Sequence, residues 1–275
     1  MSGGNRRPAE PARGRERRVG AYARLDPDRG RRIGVPEVVL GEGKSVEHLV
    51  GIARACLADG RGAFVSRPTV AQRRALARLG SAGRRVHELA GGRLLRLPGP
   101  LDVVYRDGRV AVLAAGTSDV PIAEEARALL EELGVRTVHA YDVGVAGLHR
   151  LLRALVRLER ARPELYLVFA GREGALPTVV AGLVRAPVVG IPTSVGYGRG
   201  GRGEAALTAM LQSCSPLAVV NIDAAVPAAL FAAQRFARRS SERPRRSRRT
   251  RSDRRSARRP KVPSGHRGAA PGAGR

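Results

Sequence analysis

From Val110 onward the chain repeats one unit: a short apolar run, a turn of glycine and small polar residues, and a stretch with helical spacing. The runs are VAVLAAG (110–116), VRTVHAY (135–141), LYLVFAG (165–171), PVVGIP (187–192) and LAVVNID (217–223). They are continuously apolar rather than alternating, as expected of strands buried on both faces of a parallel sheet. Helical stretches fall near 119–133, 145–160, 174–184 and 203–213, and a last one follows Pro227. Strand and helix taking turns in this way predict an α/β fold with a doubly wound parallel sheet and crossover helices.

Upstream the pattern is shorter and mixed. VPEVVL (35–40) and GAFVS (62–66) read as strands, Ser45 opens a helical stretch through Leu57, a second helix covers Val70–Leu79, and GRLLRLPG (92–99) reads as another strand. These predict a small α/β unit whose topology the pattern leaves open. The expected organisation is a disordered basic N-terminus over 1–19, the small α/β domain over 20–103, the sheet domain over 104–236 and a disordered Arg-rich tail over 237–275.

A net charge of +26 suggests nucleic acid until it is divided along the chain. Residues 235–275 hold 15 Arg, one Lys and two acids, and residues 1–32 hold ten Arg and four acids, so the body between them carries only +6. The tail has too few apolar residues to offset the entropy of ordering. Nucleic acid is therefore a partner only through this tail, with a dispensable extension as the ordinary alternative. Aromatics make up 3% of the chain and Trp is absent, which argues against a base-stacking platform. No apolar run approaches the roughly 18 residues that would span a bilayer, and the N-terminus lacks the apolar core of a secretory signal. A soluble cytoplasmic enzyme with no membrane association is the expectation. Two cysteines, Cys56 and Cys214, are too few for a disulfide framework or a zinc cluster; Cys56, inside HLVGIARACL, reads as core.

In doubly wound folds ligands gather outside the carboxyl ends of the strands, where helix N-termini present free N–H groups to anions. Gly116, Thr117, Ser118 and Asp119 follow the first strand of the repeat, Asp142 and Gly144 the second, Gly171 and Glu173 the third, and Thr193, Ser194, Gly196, Tyr197 and Gly198 the fourth. Gly200, Gly201 and Gly203 extend the last loop. Backbone N–H groups in such loops suit phosphate or ring contacts. Asp119 and Asp142 are candidates for ribose hydroxyls, a water, or Mg2+ in a hydrolytic step, against helix capping as the bland alternative. No tightly bound cofactor is expected.

AAGTSDVPIAEEA (114–126) resembles the Gly-rich Ser-Asp loop of aminoimidazole ribonucleotide carboxylases and mutases. YDVGVAGLHRLL (141–152), FAGREGALPTVVAGLV (169–184), VGIPTSVGYGRGGRGEAALTAMLQSC (189–214) and VVNID (219–223) narrow the resemblance to the carboxylase/hydrolase family of nickel-pincer nucleotide biosynthesis, the LarB family. RIGVPEVVLGEGKSVEHLVGIA (32–53) is similar to that family's leading domain, so the similarity covers roughly residues 20–236. It implies a sheet of the ribonucleotide carboxylase or flavodoxin-like type, a homo-oligomer, and nicotinic acid adenine dinucleotide and CO2 or bicarbonate as substrates. The products would be pyridinium-3,5-biscarboxylic acid mononucleotide and AMP.

That chemistry has a physical requirement. A pyridinium ring is electron-poor and attacks CO2 only after a nucleophile has added to it; a thiolate can add reversibly and leave once the ring has captured CO2 and lost a proton. The resemblance assigns the nucleophile to Cys214, placed where the 203–213 helix ends beside the Gly-rich 196–203 stretch. It assigns proton removal to Glu173, and His149 and Arg150 to a base and a carboxylate clamp. Buried packing, a dipole-complementing acid and a solvated His-Arg pair are the ordinary alternatives. The chain departs from the family at Arg172, where an apolar residue is usual, and in NIDAAVPAAL (221–230), where a glycine-bearing segment is expected. Competing functions are an aminoimidazole ribonucleotide carboxylase or mutase, a homologue that binds dinucleotide without turnover, and a nucleic-acid-associated protein using the tail.

Overall fold

The N-terminal region builds a four-stranded sheet with both parallel and antiparallel pairs. A computed structural model describes residues 15–80, 85–100 and 108–237. A hairpin of β1 (Arg17–Val19) and β2 (Ala23–Leu25) comes first, followed by α1 (Arg29–Ile33), β3 (Val38–Leu40), α2 (Val46–Ala58), β4 (Ala63–Ser66), α3 (Val70–Ala77), β5 (His87–Leu89) and β6 (Leu94–Leu97). The sheet order is β3-β4-β6-β5, with β3 parallel to β4 and the other pairs antiparallel. The expectation that residues up to 19 lack structure is corrected at its end. Arg17 pairs in register with Leu25 and forms an ion pair with Asp59, and Tyr22 stacks on His48 with ring centroids 4.0 Å apart. The remaining basic ends, 1–14 and 238–275, and the expected boundary at 103/104 lie outside the described residues.

Local chemistry sets the helix starts. Ser45 caps α2 by accepting the His48 N–H, and Thr69 and Gln72 form a reciprocal capping box at α3. Leu49, Ile52, Ala53 and Cys56 line one face of α2 and pack with Val39, Val65, Leu76, Leu95 and Leu97.

The second half contains β7 (Arg109–Ala114), α4 (Val120–Glu132), β8 (Arg136–Ala140), α5 (Leu148–Glu159), β9 (Leu165–Ala170), α6 (Ala175–Ala181), β10 (Val188–Pro192), α7 (Glu204–Leu211), β11 (Leu217–Val219) and α8 (Ala225–Gln234). All four pairings are parallel and the order is β11-β10-β9-β7-β8. Counted from β7, this is the 2-1-3-4-5 order of flavodoxin-like folds, with the winding direction reversing between β7 and β9. The central strands β9 and β10 are buried at every residue, which is why their sequences are continuously apolar.

Two ends differ from expectation. Pairing in β11 stops at Val219 rather than Asp223, because the chain turns through a left-handed Asp223 (φ 56°) to enter the last helix. That helix begins at Ala225, before Pro227, since proline in a first turn has no helical hydrogen bond to lose. α8 then buries Ala225, Ala228, Ala229, Ala232 and Ala233, a small-residue face that lies against α4.

One buried carboxylate joins the two sheets. Glu125 on α4 is fully buried, accepts the Ser66 hydroxyl of β4 at 2.5 Å and receives Arg93 at 3.2 Å. A buried charge persists only when paired and hydrogen-bonded in this way. No helix among the described residues is long and apolar enough to cross a membrane.

Candidate functional site

The carboxyl ends of the parallel strands form one rim, and a single buried aspartate ties three of them together. After β7 the chain passes Gly116 into a tight turn over Thr117–Asp119. Thr117 and Ser118 are exposed, whereas Asp119 is 4% exposed. One Asp119 oxygen accepts the Gly116 N–H at 2.8 Å and the other accepts the fully buried Thr193 hydroxyl at 2.5 Å; the Gly171 N–H also bonds the carboxylate. The ends of β7, β9 and β10 thus meet on one side chain. Burial raises the Asp119 carboxyl above its ordinary range, opposed by Thr193 and the two backbone N–H groups, and the neighbouring Asp223 charge raises it further. With both oxygens turned inward, Asp119 positions the rim rather than holding ribose or metal.

The loop after β10 is fixed from two sides. The Ser194 N–H donates to Asp223 Oδ1 at 2.8 Å, and the Asp223 N–H donates to the Pro192 carbonyl at 2.8 Å. On the other side Arg172 N–H reaches the Val195 carbonyl at 3.2 Å. Gly171 is required beneath this contact: a Cβ there would collide with the Val195 carbonyl and stand 2.8 Å from Thr193 Oγ1. Beyond it, Tyr197 is 80% exposed, with the Arg172 guanidinium 4.7 Å above its ring and donating to its hydroxyl at 2.9 Å. Gly196 and Gly198 flank that tyrosine. Glu173 lies exposed on the turn between β9 and α6.

Asp142 and Arg150 find each other, with Arg150 Nη1 2.5 Å from the carboxylate. Both are exposed, as is His149 in the first turn of α5. Gly144 anchors their loop to the rim by donating to the Ala115 carbonyl at 2.8 Å. The Mg2+ expectation does not fit these groups. Asp119 is occupied by hydrogen bonds, Asp142 by Arg150, and no group of three metal-ligating side chains occurs among the described residues.

Cys214 lies elsewhere. α7 starts at the rim, where Gly203 packs against the Thr193 carbonyl, and then runs back along the sheet for eight residues, about 12 Å at the usual rise. A turn in which Ser213 Oγ accepts the Ser215 N–H carries the chain into β11, whose first residue, Leu217, pairs with Val188, the first residue of β10. Cys214 therefore sits at the amino edge of the sheet, not beside Gly-rich 196–203. The helix separates segments that are neighbours in sequence. Its side chain is exposed, in contrast to Cys56, which is buried as expected and whose thiol is pushed up to about 11 by burial and by Glu37.

Two residues that organise the rim escape the sequence reading. Asp223 ends VVNID at a strand's carboxyl side, the same positional signal that marked Asp119 and Asp142. Arg67 carries no such signal: it reaches from the end of β4 to the Asp223 carbonyl at 2.6 Å, across 156 residues of chain.

Comparison with known proteins follows this division. Residues 109–257 match the AIR carboxylase family, and residues 17–90 match the LarB/PurE-like N-terminal domain. An uncharacterized protein of Methanocaldococcus jannaschii is 39% identical over 213 residues, covering 76% of this chain and 82% of the relative. A probable N5-carboxyaminoimidazole ribonucleotide mutase of Methanothermobacter thermautotrophicus is 35% identical, covering 46% of this chain and 37% of its own length. The N5-carboxyaminoimidazole ribonucleotide mutase of Pyrococcus horikoshii is 32% identical over 45% of this chain and 69% of the relative.

Proposed function

Because this chain belongs to the AIR carboxylase family and carries a LarB/PurE-like N-terminal domain, we propose that it carboxylates the pyridinium ring of nicotinic acid adenine dinucleotide and cleaves the phosphoanhydride. The products are pyridinium-3,5-biscarboxylic acid mononucleotide and AMP. The observation that carries this reading is the exposed Cys214 thiol, presented in a turn rather than packed as core. The Cys214 thiolate adds to a ring carbon, and the ring's electron pair moves to give a dihydropyridine. The adjacent carbon bonds CO2, a base removes the proton from that carbon, and expulsion of the thiolate restores the aromatic cation. Water supplies the oxygen for the phosphoanhydride cleavage.

Geometry adds a requirement. Cys214 is separated from the rim of its own sheet by at least the length of β10, about 13 Å at the usual strand rise. The reacting site is then shared: the rim of one copy, with its N–H groups and Glu173 as the base, meets Cys214 of a neighbouring copy. Asp119 and Thr193 are positioning residues that hold the loops on which the ring rests.

The relatives named as N5-carboxyaminoimidazole ribonucleotide mutases favour a second reading, aminoimidazole ribonucleotide chemistry at the rim without the thiol. Incubating the protein with nicotinic acid adenine dinucleotide and bicarbonate, with and without Mg2+, and analysing the products by mass spectrometry separates the two. A dicarboxylated mononucleotide plus AMP, absent with Cys214→Ala, is the expected result. Turnover of the aminoimidazole ribonucleotide, retained in that variant, would establish the second reading.

A further inference from the structure

Between the N-terminal sheet and the rim lies an open cleft of about 500 Å³, lined among others by Arg67, Thr69, Arg73, Gly92, Arg93 and Asp223. We propose that this cleft takes the phosphoanhydride of the ligand whose ring rests on the adjoining rim, an extension that rests on the dinucleotide reading above.

The three arginines are held in different ways. Arg93 is committed to the buried Glu125 and forms part of the wall. Arg67 has a left-handed backbone (φ 49°), its N–H is bound to the Arg93 carbonyl at 2.7 Å, and one guanidinium nitrogen is fixed on the Asp223 carbonyl. Its Nε is buried and has no hydrogen-bond partner among the described residues. The acid beside Arg67 is Glu42, at 3.2 Å with its own side chain 65% exposed; that beside Arg73 is Glu88, at 3.3 Å and 51% exposed. Exposed pairs of this kind contribute little. A phosphate oxygen, with higher charge density and a geometry matched to the guanidinium fork, displaces such carboxylates into solvent. The Asp223 carboxylate is not a competitor, because it is engaged by the Ser194 N–H while its carbonyl faces Arg67. Asp223 is thus the common wall of rim and cleft, and a ligand spanning it places its ring on one side and its phosphates on the other.

Arg73 gives the clean test, since it touches neither Asp223 nor the rim bonds. Calorimetry on the full chain would measure binding of inorganic pyrophosphate and of nicotinic acid adenine dinucleotide to wild type, Arg73→Gln, Arg73→Lys and Glu88→Gln. Arg73→Gln is expected to weaken both ligands about tenfold, Arg73→Lys to recover part of the loss, and Glu88→Gln to leave both unchanged or tighter. If Arg73 served only its ion pair, Glu88→Gln and Arg73→Gln would have equal effects, and the proposal falls. It falls too if wild type binds no pyrophosphate, or binds the dinucleotide with an affinity indifferent to Arg73, the latter leaving the ring reading intact. Pyrophosphate bound through Arg73 without any dinucleotide binding supports the cleft and removes the ring reading instead.

Discussion

The two edges of the parallel sheet are built differently. At the carboxyl rim a carboxylate is buried, three strand ends converge on it, and the loops above are pinned by Asp223 and by the close approach that Gly171 allows. At the amino edge Cys214 stands exposed in a turn where the Ser213 hydroxyl accepts the Ser215 N–H and donates to the Ser215 carbonyl. The rim spends burial and hydrogen bonds on fixing positions, which is what a binding surface needs. The amino edge presents an exposed thiol in a turn. Under the thiol chemistry proposed above, neither edge of one chain suffices alone, and that proposal requires copies that meet edge to rim.

The largest effect tests this division directly. Cys214→Ala and Glu173→Ala should each lower product formation roughly 10³-fold or more if thiol and base act on the same ring. Co-expressed as a mixed oligomer, the two inactive chains should recover about a quarter of wild-type activity, since random pairing joins an intact rim to an intact cysteine in that share of shared sites. A site within one chain gives no recovery, and steady-state assays of the purified mixture distinguish the two.

Next in size is the cost of opening the rim. Asp119→Ala leaves the Thr193 hydroxyl and the Gly116 and Gly171 N–H groups without their acceptor, and should lower unfolding free energy by about 3 kcal/mol. Thr193→Val, which removes one donor and keeps the shape, should cost about 1 kcal/mol. Cys214→Ala should shift the urea midpoint negligibly. Equal losses at both edges would break the contrast.

Much of the fold was legible because burial on both faces writes itself as continuous hydrophobicity. LYLVFA and VVGIP could hardly be anything but central strands, and the crossover helices followed from the alternation of apolar runs with helical spacing. The N-terminal hairpin was not legible: Arg17–Val19 has two arginines in three residues, and its pairing draws on Asp59, which lies 42 positions away. Nothing in the sequence sets Glu125 apart from the other acids of α4, since Ser66 and Arg93 are brought to it only by the tertiary fold. Within the site, strand-end position located Asp119 and Thr193 but carried no information on side-chain direction, so a ribose contact was expected where an inward knot exists. The misplacement of Cys214 has the same origin. Proximity in sequence to a glycine-rich loop says nothing about which end of the intervening helix a residue occupies.

The two cysteines extend the comparison to reactivity. With a disulfide reagent near neutral pH, Cys214 should react at once and Cys56 only as the protein unfolds. The raised Cys56 thiol alone lowers its thiolate fraction roughly hundredfold relative to an ordinary cysteine, and burial on the inner face of α2 slows access further. Two thiols titrating together in native protein would mean that the N-terminal sheet opens readily.

The smallest effect is one of pH, and its sign separates the rim from the outer edge at β8. Asp119 has a folded carboxyl raised above its ordinary value of 3.8, with burial as the leading cause. Between the unfolded and folded values the native state keeps a proton that the unfolded chain releases, so this contribution to stability is full below 3.8 and is lost as pH rises through the folded value. Glu124 runs the other way. Its carboxyl is lowered below 4.5, first by the hydrogen bond from Arg127 and then, against the opposing effect of burial, by Tyr141 and the Arg127 charge. Its stabilisation is present above 4.5 and lost as pH falls through the lowered value. Urea midpoints collected between pH 3.5 and 7 should therefore show wild type losing ground to Asp119→Asn as pH rises, and gaining on Glu124→Gln. If the wild-type advantage over Asp119→Asn grew with pH instead, the hydrogen bonds from Thr193, Gly116 and Gly171 would outweigh burial at this carboxyl.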